Sequence, residues 1–115
     1  MTIELLDAFA DAWNRHDVDA ILSMMTPDCA FETSRGTGVK GTVHTGQDEV
    51  RRGIEEVFAS FRDAQWRKPT HFVAGDRGVS EWVFTGTEPD GLPVEVQGCD
   101  LFTFRDGLIA VKNLY

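Results

Sequence analysis

Asp100 is the residue whose surroundings most suggest chemistry. The stretch Val94-Glu95-Val96-Gln97-Gly98-Cys99-Asp100-Leu101-Phe102-Thr103-Phe104 alternates with a period of two. Val94, Val96, Phe102 and Phe104 fall on one face, and Asp100 falls on that same apolar face. An ionised carboxylate there costs several kcal/mol unless it is partnered, whereas a neutral carboxylic acid can sit there and donate a hydrogen bond. Such a donor is useful where negative charge develops on a substrate oxygen. No Lys or Arg occupies the same strand face nearby, so desolvation is expected to hold the proton on Asp100. Two structural alternatives stand beside this reading. Asp100 bonds a backbone group, or a bulge at Gly98 turns it outward.

The other reactive residue types are scattered. His16, His44 and His71 form no His-x-x-x-His pair, and Cys29 and Cys99 no Cys-x-x-Cys pair, so no metal site is expected. There is no Gly-x-Ser-x-Gly elbow, and Ser34 and Ser80 have no suggested base. The glycines between 34 and 46 are irregular and no Gly-Lys-Ser/Thr follows them, which argues against a phosphate loop. His16 falls in a helix-to-helix turn and reads as a cap or a solvent-facing residue. His44 falls in the Gly-rich loop, where it either closes over a pocket or, the favoured reading, lies on the surface. His71 lies in a strand, where it is either a sheet-face histidine or a partner for Asp100.

The elements that must position these residues can be read from periodicity. Thr2 can cap a helix with apolar positions Leu5, Leu6, Phe9 and Trp13. Asp17 caps a short second helix carrying Ile21, Leu22, Met24 and Met25, ended by Thr26-Pro27-Asp28. Residues 29–33 read as a short strand, and 34–46 as a loop with a short strand around Val39 to Val43. The strongest helix runs from Gln47 to Phe61, with Val50, Ile54, Val57, Phe58 and Phe61 in one stripe and Asp48 and Glu49 at its positive end. Strands are expected near 64–75, 78–88, 93–104 and 108–115, joined by turns at Gly75-Asp76-Arg77-Gly78, Pro89-Asp90-Gly91 and Arg105-Asp106-Gly107. Three helices followed by an antiparallel meander give an α+β domain over residues 1–115, its helices on one face of a curved sheet.

The chain has 11 basic and 19 acidic residues and a net charge of −8, which argues against nucleic acid and anionic membranes as partners. Two cysteines make no disulfide framework and read as reduced, buried small hydrophobes. With no signal peptide evident and no stretch long enough to span a membrane, the expected compartment is the cytoplasm. Trp82 and Phe84 share one strand face, which is either a pocket wall or a dimer surface. Large apolar residues on both faces of the meander predict a homodimer.

Phe9-Ala10-Asp11-Ala12-Trp13-Asn14-Arg15-His16-Asp17, Glu81-Trp82-Val83-Phe84-Thr85-Gly86-Thr87 and Gly98-Cys99-Asp100-Leu101-Phe102-Thr103-Phe104-Arg105-Asp106-Gly107 together resemble the SnoaL-like branch of the nuclear transport factor 2-like superfamily. The resemblance covers nearly the whole chain. It implies a cone-shaped, cystatin-like fold, three N-terminal helices on the concave face of the sheet, and a pocket for a small apolar molecule. By resemblance to ketosteroid isomerase, Asp100 lines up with that family's Asp donor. Phe9 falls where the family has its Tyr donor, and Thr33 where it has its general-base Asp, with Glu32 adjacent. Polyketide cyclases of the superfamily pair the strand Asp with a His, which makes His71 the candidate partner. Epoxide hydrolases carry an Arg two residues before the Asp, where this chain has Gly98. The resemblance therefore implies an isomerase-, cyclase- or dehydratase-like enzyme acting on an apolar steroid- or polyketide-like carbonyl compound, by acid–base chemistry without a cofactor. The other class is a non-catalytic ligand-binding or dimerisation module. Asp100 and His71 are the candidate catalytic residues. Phe9, Trp13, Phe31, Thr33, Phe58, Trp82, Phe102, Asn113 and Tyr115 are the candidate ligand-binding residues, and Trp66, Phe72 and Phe84 complete the expected aromatic lining.

Overall fold

Helices and strands follow in an order set by where the hydrophobic period changes from about 3.6 to 2. The computed structural model describes residues 2–33 and 42–115. Helix α1 spans Thr2–Asn14 and buries Leu6, Phe9, Ala12 and Trp13. Helix α2, Val18–Ser23, is capped as expected by the Asp17 side chain, which accepts from the Ala20 amide. Strand β1 (Met25–Glu32) and the short β2 (Val43–Thr45) precede α3 (Gln47–Ser60), whose apolar stripe is anchored by Val50 and Ile54. The meander follows as β3 (Gln65–Ala74), β4 (Arg77–Thr87), β5 (Pro93–Arg105) and β6 (Leu108–Leu114).

The six strands of the described residues form one sheet in the order β2-β1-β6-β5-β4-β3. Pairing is antiparallel except between β1 and β6, which run parallel. The helices pack on its concave face, α1 against β3 and α3 against β1, with α2 between them. Among the described residues, no helix is long and apolar enough to cross a membrane.

Two boundaries differ from the expectation. Met25 through Asp28 belong to β1, not to the end of α2. The helix stops at Met24, whose amide reaches the Ile21 carbonyl, and an irregularity in β1 between Met25 and Ala30 accommodates Pro27. The short strand expected around Val39 to Val43 lies mostly outside the described residues, and β2 begins at Val43.

Strand phase is the feature that positions the site. β4 and β5 pair without interruption from Arg77↔Thr103 to Thr87↔Pro93. Ser80, Trp82 and Phe84 on β4 therefore face the same side as Val96, Gly98, Asp100 and Phe102 on β5, and that side is the concave one. β3 and β6 are each bulged. In β3 the register slips by one residue between Arg67 and Thr70, where Lys68 adopts a positive φ of 54°. In β6 it slips between the Phe104↔Ile109 and Thr103↔Val111 pairs. Each extra residue exchanges the faces for the remainder of its strand. His71 and Lys112 consequently point inward, while Phe72 and Asn113 point to the convex side.

Candidate functional site

Among the described residues, the concave face carries a small hollow and a larger one, which share Trp66 and Trp82 in their walls. The first lies under α1. It has about 20 Å³ of room, which is space for one water molecule. Phe9, Trp13, Pro69, Ser80, Asp100, Phe102 and Lys112 are among its walls. Asp100 is 6 % exposed and Lys112 is 4 % exposed. The Lys112 ammonium donates to Asp100 Oδ1 at 3.0 Å, and the Trp82 indole N–H donates to Oδ2 at 2.9 Å. The same ammonium stands 4.5 Å from the Trp13 ring centroid and 4.7 Å from that of Phe31. An aromatic cage of this kind offsets part of the desolvation of a buried cation.

This geometry corrects the expectation that Asp100 is an unpaired, neutral acid; its own strand face carries no Lys or Arg, as read, but a neighbouring strand supplies one. Lys112 comes from the neighbouring strand, in register with Phe102 and diagonal to Asp100. Both of its oxygens accept from groups that can only donate, so Asp100 acts as an acceptor here. The bulge at Gly98 is also absent, since β5 pairs regularly with β4 through Trp82↔Gly98.

His71 lies one strand further out. Its Nδ1 shares a 2.7 Å hydrogen bond with Ser80 Oγ, and its Nε2 stands 3.1 Å from the exposed Asp7 carboxylate at an angle too poor for a hydrogen bond. His71, Ser80 and Asp100 thus form one cross-strand row, with Ser80 between the two candidate catalytic residues.

The second hollow lies under α3 and is a pocket of about 390 Å³, in the range that holds small organic ligands. Trp66, Trp82, Phe61 and Phe84 form its aromatic wall, and Val94, Val96 and Leu114 extend it toward the open end. Its polar groups are Thr33, Thr42, His44, Glu56, Ser60 and Tyr115. His44 packs flat on Phe31, with ring centroids 5.9 Å apart, and against Gly53 of α3. A Cβ at Gly53 would come within 2.8 Å of the His44 ring, so only glycine lets the helix approach it this closely. Gly98 plays the same part for Trp82, whose ring would lie 2.7 Å from a Cβ at that position.

No curated protein matches the chain. Residues 6–112 match the SnoaL-like domain model. The chain belongs to the SnoaL-like domain family. Its fold is similar to that of a Xanthomonas campestris pv. campestris protein named provisionally as a polyketide cyclase, at 25 % identity and a TM-score of 0.86 over 98 % of this chain and 87 % of that one. It is similar to TerC, co-crystallised with polyporic acid, at 22 % identity and a TM-score of 0.85, covering 98 % and 88 % of the two chains. A Catenulispora acidiphila protein with a ketosteroid isomerase-like fold, in complex with trimethylamine, is 21 % identical with a TM-score of 0.82, covering 97 % of this chain and 84 % of that one.

In this SnoaL-like domain the candidate residues divide between the hollows. Phe9, Trp13 and Phe102 line the small one, Thr33 and Tyr115 line the large one, and Trp82 lines both. Phe31 lies beneath Lys112 and His44. Phe58 lines neither, because its face is taken by His16, stacked on it at 4.1 Å. His16 is neither a cap nor solvent-facing, since its Nε2–H donates to the Ala64 carbonyl. Asn113 points away from both hollows, and Phe72 is 54 % exposed on the convex face rather than part of the lining. Trp82 and Phe84 both lie on the pocket wall.

Sequence reasoning missed Lys112 and Ser80, and favoured the surface over the pocket for His44. Lys112 is hidden because the alternation Ile109, Val111, Asn113 reads as the inward set until the bulge is known. His44, read as surface, is drawn inward by pairing with Phe31 on β1.

Proposed function

We propose that this SnoaL-like domain binds a small, flat, apolar carbonyl compound in the pocket under α3 and acts on it as an isomerase-, cyclase- or dehydratase-like enzyme, with His44 as the proton-transfer group. The observation that carries this reading is the division between the hollows. The pocket with room for a ring system is walled by Trp66, Trp82 and Phe84 and has an imidazole on its lining, whereas Asp100 is already engaged by two protein donors in a space that admits only water. An imidazole is the side chain best suited to take a proton from the carbon beside a carbonyl and return it elsewhere on the same molecule. The Tyr115 hydroxyl at the rim is a donor for the carbonyl oxygen. Such chemistry uses no cofactor. The polyporic acid crystallised with TerC supports the view that this fold accommodates ring compounds.

A second reading is a non-catalytic binding module. It is favoured by the engagement of Asp100, whose two oxygens already accept from Lys112 and Trp82 and so offer a ligand no proton. The two readings separate by incubating an apolar ring ketone such as 2-tetralone with the protein in deuterated water. Enzyme-catalysed deuterium exchange beside the carbonyl, lost in His44→Gln with binding retained, is the expected result. Thermal stabilisation by the ketone without exchange would establish the binding module instead. Stabilisation by nucleotides and not by ring ketones would defeat both.

The domain is further proposed to work as a homodimer through the convex face. Phe72, Val79 and Leu101 adjoin one another there across β3, β4 and β5, next to Asn113, whose buried Oδ1 has no hydrogen-bond partner among the described residues. Light scattering should give twice 12.8 kDa, and Leu101→Glu should halve it. A wild-type monomer at micromolar concentration would refute the dimer.

A further inference from the structure

The buried ion pair and the large pocket touch different cavities, yet one side chain belongs to both. Asp100 and Lys112 line the small hollow and not the large one, while Trp82 lines both. The indole of Trp82 is fixed in two directions. Its edge is held by the 2.9 Å bond from Nε1 to Asp100 Oδ2, and its six-membered ring lies against the backbone of Gly98, directly across the β4–β5 pairing. Asp100 is in turn fixed by Lys112, whose ammonium is confined by Trp13 and Phe31. A buried hydrogen bond to a charged acceptor is short and directional, so it defines the ring plane that the pocket presents to a ligand.

We infer that Asp100 and Lys112 are positioning residues, which set the orientation of Trp82 as the wall against which a flat ligand stacks, and that Trp82 determines the ligand shape the pocket accepts. The inference rests on the proposed pocket. It assigns the conspicuous charged residues of the chain to a role at one remove from the ligand.

The test compares two double variants that both remove the buried charges, so that neither leaves one ion unpaired. Asp100→Asn/Lys112→Met keeps an oxygen that accepts from the Trp82 indole. Asp100→Leu/Lys112→Met does not. The probe is prodan, a flat apolar naphthyl ketone with polarity-dependent fluorescence. The Asn variant should bind it within about twofold of wild type, and the Leu variant at least about fivefold more weakly. In a Trp82→Phe background, where there is no indole N–H to hold, the two should bind equally. A further readout needs no ligand. The Nε1–H resonance of Trp82, assigned by its loss in Trp82→Phe, should be protected from solvent exchange in wild type and in the Asn variant, and lose protection in the Leu variant. Equal protection in both variants would overturn the inference, as would an undiminished difference in prodan affinity in the Phe background. If wild type binds no prodan, the pocket reading falls, and the indole resonance still decides whether Asp100 positions Trp82.

Discussion

Under α1 the concave face is packed shut around a salt bridge, and under α3 the same face is left open around a histidine. The two regions share a sheet, share Trp66 and Trp82 as a partition, and differ in what their helices bring. α1 contributes Leu6, Phe9 and Trp13, which close over Asp100 and Lys112. It is tied down by Asn14, which donates to the Trp66 carbonyl at 3.0 Å and accepts from its amide at 2.7 Å. α3 presents Gly53, Val57, Glu56 and Ser60 over its half, with the smallest residue placed where the histidine ring must fit. The lesson is that the residues with the most conspicuous charge occupy the half with no room for a ligand. The half with room is lined by a histidine, His44, that the alternation pattern does not mark.

The largest expected effect tests whether the closed half depends on charge balance. Lys112→Met should leave the Asp100 carboxylate buried without its cation and cost about 3–5 kcal/mol in urea unfolding. Asp100→Leu/Lys112→Met should recover most of that loss, because no uncompensated ion remains. A single variant costing less than about 1 kcal/mol would place the pair in the class of solvated surface bridges and remove the contrast between the two halves.

A smaller effect is expected in the open half. Gly53→Ala places a methyl group against the His44 ring and should displace it, since the ring is the movable partner. Stability should change by no more than about 1 kcal/mol, because the better helix propensity of Ala opposes the contact. Prodan affinity should fall by roughly fivefold, about 1 kcal/mol. Titration calorimetry beside urea unfolding checks both. A loss of stability without loss of affinity would mean that His44 is a packing residue only.

The smallest effect concerns the exposed counterpart of the buried pair. Arg105 bonds Asp28 across the base of the sheet, and this hydrogen bond holds the Asp28 carboxyl down at about 2 from its ordinary 3.8. A carboxyl depressed in the folded state adds stability above its unfolded value and loses it as pH falls toward the folded one. Wild type and Arg105→Gln should therefore differ slightly at pH 5–7 and converge as pH drops from about 4 to 2. The difference should shrink in high salt, unlike that of Lys112→Met. Parallel pH curves for the two proteins would show that the Arg105 bond contributes nothing in solution.

The helices and the uninterrupted strands could be read from the residues themselves. The stripes of α1 and α3, the Asp17 cap, and the shared face of Asp100 with the apolar residues of β5 follow from local spacing, because regular backbone repeats its side-chain directions without reference to the rest of the chain. Asp100 was placed on the correct face for this reason. That Trp82 and Phe84 share a face was equally legible, but not which way that face points. What surrounds Asp100 was not legible. Lys112 is 12 residues away in sequence, on a strand whose face is decided by an extra residue near Ala110. A bulge of that kind has no signature in residue types here, since Ile109, Ala110 and Val111 suit either phase.

The same holds for His71 and Phe72, which exchange faces at the bulge after Arg67. The sequence by itself thus determined most of the elements, their order and the face of β5 that carries Asp100, because those depend on contacts close along the chain. The tertiary structure alone decided which charges meet, that Trp82 divides the concave face, and that the open half belongs to His44. Those outcomes depend on register between strands, where one residue of slip exchanges inside for outside.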